Sequence, residues 1–396
     1  MLEIKIWWFL PVFFISAIFV AVVLPAIVRT ANKMDLYDTQ DERKVHKGNV
    51  PRLGGVSFVP AILFSLMMVI AAMSIYSPFN ITFSYGSITE VMLVISGCLI
   101  LYLVGVVDDI IGVTYKYKFI AQIMAAILLC ISGLWINNLH GIFGIHALSP
   151  WLGVPLTLVL IVLIINSVNL IDGIDGLASG LCIMGTAAYS IVFLYKGLNI
   201  YLLLAAAMLG VLIIFYIYNT LGKPGVLKTF MGDTGSLTMG YLLSFFAIKL
   251  TTIESTMLGS LDDGTYFVYA FSVLLIPVMD VFRVFFARIR EGFGPFYPDK
   301  RHIHHKFLAM GFTMRQARYL IFAISLCFFT VNMVIFNVFQ WGINILIMID
   351  AVIWILMNMA ISNKVKQLRA ISDPVAMRYT EIGTNYRIRK KKKRRN

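Results

Sequence analysis

Leu152-Gly-Val-Pro-Leu-Thr-Leu-Val-Leu-Ile-Val-Leu-Ile-Ile165 runs without a break into Asn166-Ser-Val-Asn-Leu-Ile-Asp172-Gly-Ile-Asp175-Gly176. The first half is continuous apolar sequence, and continued to Leu170 it is long enough for a membrane helix. Asn166, Asn169, Asp172 and Asp175 then recur every three residues, so in a helix they share roughly one face. Gly173 and Gly176 break that pattern. Amides and carboxylates are expensive at membrane depth and by default mark a site. The competing reading is a helix end that simply reaches water.

The whole chain has the character of this run. Of its 396 residues 59% are hydrophobic and 13% charged, with a mean hydropathy of +0.84, which excludes an ordinary soluble domain. Apolar runs are long and continuous rather than alternating, which predicts an all-α integral membrane protein rather than a β-barrel. Cys98, Cys130, Cys182 and Cys327 lie inside apolar runs without paired spacing, so neither a disulfide framework nor a zinc site is implied. The net charge of +13 is explained by loops on one membrane face, with no need for a nucleic-acid partner.

Eleven spans are expected, at about 6–28, 55–76, 88–107, 119–137, 152–170, 177–195, 199–219, 235–253, 266–288, 317–337 and 341–361. The first is too long, and too poorly preceded by basic residues, for a cleavable signal. A polytopic transmembrane domain over 1–361 and a basic tail over 362–396 follow. An odd number of spans puts the termini on opposite sides. The tail ends in Lys390-Lys-Lys-Lys-Arg-Arg395, which the positive-inside rule places in the cytoplasm, with the N-terminus outside. All other Lys and Arg then fall inside except Lys5, Lys196 and Lys249.

Every informative polar cluster lands on that same face. Asp108-Asp109 closes the third span and can hold a metal, orient a cation or take a proton; it can equally be a solvated helix end. Lys118 follows ten residues on. Gly232-Asp-Thr-Gly235 opens the eighth span, where glycines admit close backbone approach and a helix N-terminus favours phosphate. Asp233 there is placed to bring Mg²⁺ onto a diphosphate, or to be a simple N-cap. His302, His304 and His305 lie among Asp299, Lys300, Arg301 and Lys306, a surplus of cations that suits an anion better than zinc. Lys44, His46, Lys47 and Arg52 before Gly54-Gly55 repeat that chemistry. Asp280 and Arg283 follow Pro277 in the ninth span, where a kink is expected. Together these groups point to a site for a metal and a polyphosphate.

These motifs, in order from about Lys44 to His305, resemble the polyprenyl-phosphate N-acetylhexosamine-1-phosphate transferases. The carriers are Pro51-Arg-Leu-Gly-Gly55, Val107-Asp-Asp109 with Lys118-Phe119 and Gln122, Asn166–Leu177, Phe230–Ser236 and His302-Ile-His-His305. The histidine motif and Arg43-Lys-Val-His46 favour the WecA/TagO branch over the MraY branch.

The resemblance implies an undecaprenyl-phosphate N-acetylglucosamine 1-phosphate transferase in a bacterial inner membrane. Such an enzyme moves GlcNAc-1-phosphate from UDP-GlcNAc to undecaprenyl phosphate, releases UMP and begins a surface polysaccharide such as O-antigen or teichoic acid. It implies Mg²⁺, with Mn²⁺ as a substitute, held by Asn169 and Asp233. Asp108 and Asp109 match the acidic pair implicated in handling the lipid phosphate, and Lys118 matches a basic residue beside them; Phe230 matches an aromatic on uracil, and Asp175 matches a residue lining the uridine pocket. Arg301, His302, His304 and His305 match the loop that meets diphosphate and sugar, and Lys47 matches a lysine before the glycine pair loosely. Arg52, Asn166 and Asp172 join the substrate-binding set. Membrane lipids are the remaining partner, and a homodimer is compatible with all of this.

Two other readings compete. An MraY-like enzyme would take a UDP-MurNAc-pentapeptide donor. A transporter would spread acids across the bilayer midplane, whereas here the spans are nearly free of charge apart from Lys249, Asp280 and Asp350.

Overall fold

A computed structural model describes residues 7–36, 50–76, 84–253, 263–294 and 300–372. Twelve helices are present among them: α1 Phe9–Lys33, α2 Phe58–Tyr76, α3 Tyr85–Ile111, α4 Tyr115–Ile131, α5 Pro150–Ile171, α6 Leu177–Tyr195, α7 Asn199–Leu221, α8 Gly232–Thr251, α9 Asp263–Arg290, α10 Ile303–Ala309, α11 Met314–Asn337 and α12 Ile343–Ser372. A 3-10 turn, Gly54–Ser57, leads into α2.

Each of the eleven expected spans is a helix, and the protein is an all-α integral membrane protein. Nine of the helices among the described residues are long and apolar enough to cross a membrane, counting Gly54–Tyr76 as one. The two that fall short do so for different reasons. Helix α4 has 17 residues. Helix α8 has 20 but is rich in Gly, Ser and Thr, and almost every residue from Thr234 to Thr251 is buried in protein. A helix enclosed by other helices has no lipid face to satisfy, so its composition is set by packing rather than by the bilayer.

Helix α8 is the axis of the bundle, packed on α3, α5, α6 and α9. Small residues permit this: a Cβ on Gly105 of α3 would strike the Thr234 Cα, and one on Gly240 of α8 would come within 2.8 Å of the Ile165 Cα on α5. Around that axis apolar side chains such as Ile18, Leu103, Trp151 and Val159 are exposed, as a lipid-facing surface requires. At the end of α8 remote from Asp233, Lys249 is paired with Glu90 on α3 at 2.8 Å, and Tyr201 Oη donates to Glu90 at 2.5 Å. This exception to the charge bias is therefore internally neutralised.

The loop between α4 and α5 carries a two-stranded antiparallel hairpin, β1 Asn138–Ile142 and β2 Ile145–Ala147. Its turn residues Phe143 and Gly144 both have positive φ, 52° and 76°, the turn handedness that matches strand twist. The Asn344 side chain at the start of α12 accepts from the Phe143 N–H and donates to Gly141 O. The final helix continues to Ser372, past the expected tail boundary, and the basic run 390–395 lies outside the described residues.

Candidate active site

The site is built on the first turn of α8. Helix N-termini expose unsatisfied N–H groups, and here another helix supplies the acceptor. The Asp109 carboxylate at the end of α3 accepts from Asp233 N at 2.8 Å, Thr234 N at 3.0 Å and Thr234 Oγ1 at 2.6 Å. Gly232 has φ +68°, and a Cβ there would collide with the Arg52 O and the Asp109 carboxylate.

The glycine pair after Arg52 does similar work. Gly54 N donates to Phe230 O and Gly55 N to Met231 O, both at 3.0 Å, while Phe230 N donates to Pro51 O at 2.9 Å. A Cβ on Gly55 would collide with Gly235 N. The Pro51–Gly55 segment is therefore laid backbone to backbone along the strand of chain that enters α8.

Asp108 takes a different direction from its neighbour. Its Oδ1 accepts from Val113 N at 2.7 Å and lies 3.2 Å from Lys118 Nζ. The same ammonium lies 2.8 Å from Asp233 Oδ2. Lys118 thus sits between two carboxylates, and Asn169 Nδ2 approaches the other Asp233 oxygen at 3.2 Å and Ser236 Oγ at 2.8 Å. Asp108, Asp109 and Asp233 can each offer an oxygen within 4.8 Å of the others. Three hard oxygen donors at that spacing are a set that can hold a metal ion, although Asp109 is already committed to α8 and Lys118 supplies positive charge at the same place.

The opening stretch turns at the end of α5, one turn beyond Asn169. Asp172 is the C-terminal cap of α5. Burial, with the negative charges of Asp233 and Asp175, pushes its carboxyl up to about 7, against the opposing pull of Arg52. Asp175 Oδ2 pairs with Lys228 Nζ at 2.5 Å, and Arg318 Nη1 donates to the Asp175 carbonyl at 2.8 Å. Gly176 adopts φ +72° and its N–H donates to Asn219 Oδ1, whose amide in turn donates to Thr229 O at 2.8 Å. Asn166 points elsewhere, into the bundle, donating to Gln122 Oε1 on α4 at 2.7 Å.

The histidine loop covers this turn. His304 is buried, and a Cβ on Gly173 would collide with its imidazole. Neither ring nitrogen of His304 has a hydrogen-bond partner, and burial together with His305 and His302 holds its pKa well below the usual value. The His305 ring lies 4.2 Å from that of His304. Lys306 reaches back to Asn358 and Ser362 on α12, and burial beside Arg283 lowers its pKa to about 8. Arg301 pairs with Glu291 at 2.6 Å.

Most of the expected site residues therefore converge on three adjacent structures: the start of α8, the α5–α6 turn and α10. Asn166 is a strut of the bundle, and Lys47 lies outside the described residues. Lys228, Asn219 and Arg318 belong to the site neighbourhood but were not singled out from the sequence. An apolar cavity of about 260 Å³ between α5, α9, α11 and α12, reached by Asn332 and Asp350, contains none of the candidate residues.

Known proteins resemble this chain over most of its length. Glycosyl transferase family 4 matches residues 91–251, from α3 to the end of α8. The chain is 29% identical over 321 residues to the probable undecaprenyl-phosphate N-acetylglucosaminyl 1-phosphate transferase of Bacillus subtilis, covering 80% of this chain and 82% of that protein. It is 30% identical over 297 residues to the undecaprenyl-phosphate alpha-N-acetylglucosaminyl 1-phosphate transferase of Escherichia coli K12, covering 74% of each. The Yersinia pestis protein of the same name is 29% identical over 301 residues, 74% of this chain and 75% of its own length. On the motifs, the fold and these relatives, the chain belongs to glycosyl transferase family 4.

Proposed function

We propose that this protein transfers GlcNAc-1-phosphate from UDP-GlcNAc to undecaprenyl phosphate in the bacterial cytoplasmic membrane, with the site facing the cytoplasm. The observation that carries the reading is Lys118 seated between Asp108 and Asp233 at the N-terminus of a membrane-embedded helix. Acids, an amide and cations meet there where a lipid phosphate and a soluble diphosphate can both arrive.

An oxygen of undecaprenyl phosphate attacks the β-phosphorus of the donor. The bond from that phosphorus to the α–β bridging oxygen breaks, and UMP leaves with the α-phosphate. Both reactants are anions, so positioning and charge neutralisation do most of the work. Mg²⁺, held through Asp233 and the Asn169 amide oxygen, would neutralise the diphosphate and align it. A half-turn of the Asn169 amide replaces nitrogen by oxygen beside Asp233, so the residue fits that task. Lys118, released from one carboxylate, is placed to hold the lipid phosphate. A phosphate monoester is largely dianionic at neutral pH because its second pKa is ~6, so Asp108 is assigned to orienting Lys118 rather than to proton removal. Asp109 is assigned to fixing the first turn of α8. Phe230 and Asp175 form the uridine side of the site, with Lys228 beside Asp175, and Arg52, Arg301 and the histidines supply contacts to diphosphate and sugar.

A donor panel with purified protein and undecaprenyl phosphate tests this, read as UMP release. UDP-GlcNAc should be the preferred donor. Release from UDP-MurNAc-pentapeptide alone would replace this reading by the MraY-like one, and release from no UDP-sugar would remove both.

A further inference from the structure

Asp280, on α9, lies outside the family motifs quoted above, yet it is 1% exposed and fully engaged. Its Oδ2 lies 2.8 Å from His302 Nδ1, and both carboxylate oxygens lie 3.2 Å from Ile303 N, the first residue of α10. Arg283 Nη2 donates to Oδ1 at 2.6 Å and to the Arg301 carbonyl at 2.6 Å. A carboxylate that receives donors from a backbone N–H and a guanidinium has only acceptor capacity to offer a third partner. His302 must therefore carry its hydrogen on Nδ1, and Nε2 is the nitrogen left over. That Nε2 is buried and has no hydrogen-bond partner. The His302 ring lies parallel to that of His304, 6.0 Å away with 5° between planes, and His304 rests on Gly173 in the turn between Asn169 and Asp175.

We infer that Asp280 is a positioning residue for the transfer reaction: it fixes the tautomer and orientation of His302, so that Nε2 faces the diphosphate of the donor. The inference rests on the proposed transferase activity for what His302 meets, and on geometry alone for how His302 is held. Asp280 makes and breaks no bond. With Nδ1–H kept on Asp280, Nε2 is the nitrogen that can take up a proton and present it as a hydrogen bond to a phosphate oxygen, and the Asp280 charge then lies against the imidazolium. The carboxylate also ties His302 and α10 to α9 through a residue 22 positions earlier in sequence.

The test compares wild type with Asp280→Asn, Asp280→Glu, His302→Ala and the double variant Asp280→Asn/His302→Ala. Asn keeps the size of Asp but presents an N–H to Nδ1, which reverses the tautomer. In ¹⁵N-histidine-labelled protein, with the His302 signal identified by its loss in His302→Ala, the Nδ1–H form is expected in wild type and in Asp280→Glu and is expected to disappear in Asp280→Asn. In turnover, Asp280→Asn should lower kcat by roughly 10²-fold, the scale of one proton-bearing group, with KM for UDP-GlcNAc changed less than threefold. In the His302→Ala background the same substitution should cost less than threefold, because it acts through the missing ring. An unchanged His302 tautomer in Asp280→Asn overturns the inference, as does a kcat within threefold of wild type or a full multiplicative loss in the double variant. A wild-type protein that releases no UMP overturns the functional reading, and the tautomer comparison, which needs no turnover, then decides for or against Asp280 by itself.

Discussion

The Asp109 carboxylate, at the end of α3, accepts the backbone N–H of Asp233 at 2.8 Å and that of Thr234 at 3.0 Å, so one helix supplies the N-cap of another. Its neighbour Asp108 makes neither contact and faces Lys118 instead. Adjacent residues on a helix project about 100° apart, and that angle divides the acidic pair into a structural and an electrostatic member.

Separate costs follow for the two acids. Asp109→Ala should destabilise the protein by about 1–2 kcal/mol, the scale of a lost N-cap, and lower its melting temperature along with its activity. Asp108→Ala should lower activity with a much smaller change in melting temperature. Thermal unfolding of the two variants in detergent, beside UMP release, measures both. Equal melting temperatures would mean that Asp109 does not hold α8 in place.

Lys118 supplies positive charge where a metal would bind, 3.2 Å from Asp108 and 2.8 Å from Asp233. Lys118→Met should therefore bind Mg²⁺ more tightly, by several-fold, while its turnover falls because the lipid phosphate has lost a cation. Calorimetric Mg²⁺ titration of the substrate-free variant separates these effects. Weaker binding in Lys118→Met would show that the ammonium assists the metal rather than competing with it.

Asp175 and Lys228 form a pair at 2.5 Å beside the α5–α6 turn. Asp175→Asn should raise KM for UDP-GlcNAc roughly tenfold, the worth of a charge-assisted hydrogen bond of about 1.5 kcal/mol, and leave KM for undecaprenyl phosphate within twofold. Initial rates against each substrate in turn would check this. An effect confined to the lipid substrate would remove Asp175 from the nucleotide side of the site.

Asp172 gives a pH-dependent prediction. Its folded carboxyl is held up at about 7, against an unfolded value near 3.8, chiefly by burial. The protonated form is therefore the one the fold favours, and the associated stability is complete below pH 3.8 and is lost as pH rises through 7. In metal-free buffer wild type should lose melting temperature between pH 5 and 8, relative to Asp172→Asn, which cannot ionise. Parallel curves for the two proteins over that range would contradict the raised value.

Much of this was legible in the sequence, for identifiable reasons. Apolar runs long enough to cross a bilayer announce themselves, and Gly232-Asp-Thr-Gly235 announced the start of α8 because glycine is what a crowded helix N-terminus needs, although the acid that caps it is Asp109 of α3 and not Asp233. The hairpin at 138–147 was missed because three to five residues per strand carry too little periodicity to register. Gly54-Gly55 was read with the basic residues before it, but its purpose is backbone contact with 230–235, which no local pattern encodes. Lys228 looked like one more topology-setting charge because its partner Asp175 is 53 residues away. Asp280 was noticed only for its place near Pro277, since its link to His302 exists only in three dimensions.

The fate of the β-phosphorus separates transfer of a sugar phosphate from transfer of a sugar. Purified protein would be given undecaprenyl phosphate, Mg²⁺ and UDP-GlcNAc labelled with ³²P at the β-phosphate. The label should enter the organic-extractable lipid in step with unlabelled UMP, and Asp233→Asn should nearly abolish both. Label remaining in water-soluble UDP while GlcNAc reaches the lipid would contradict sugar-phosphate transfer.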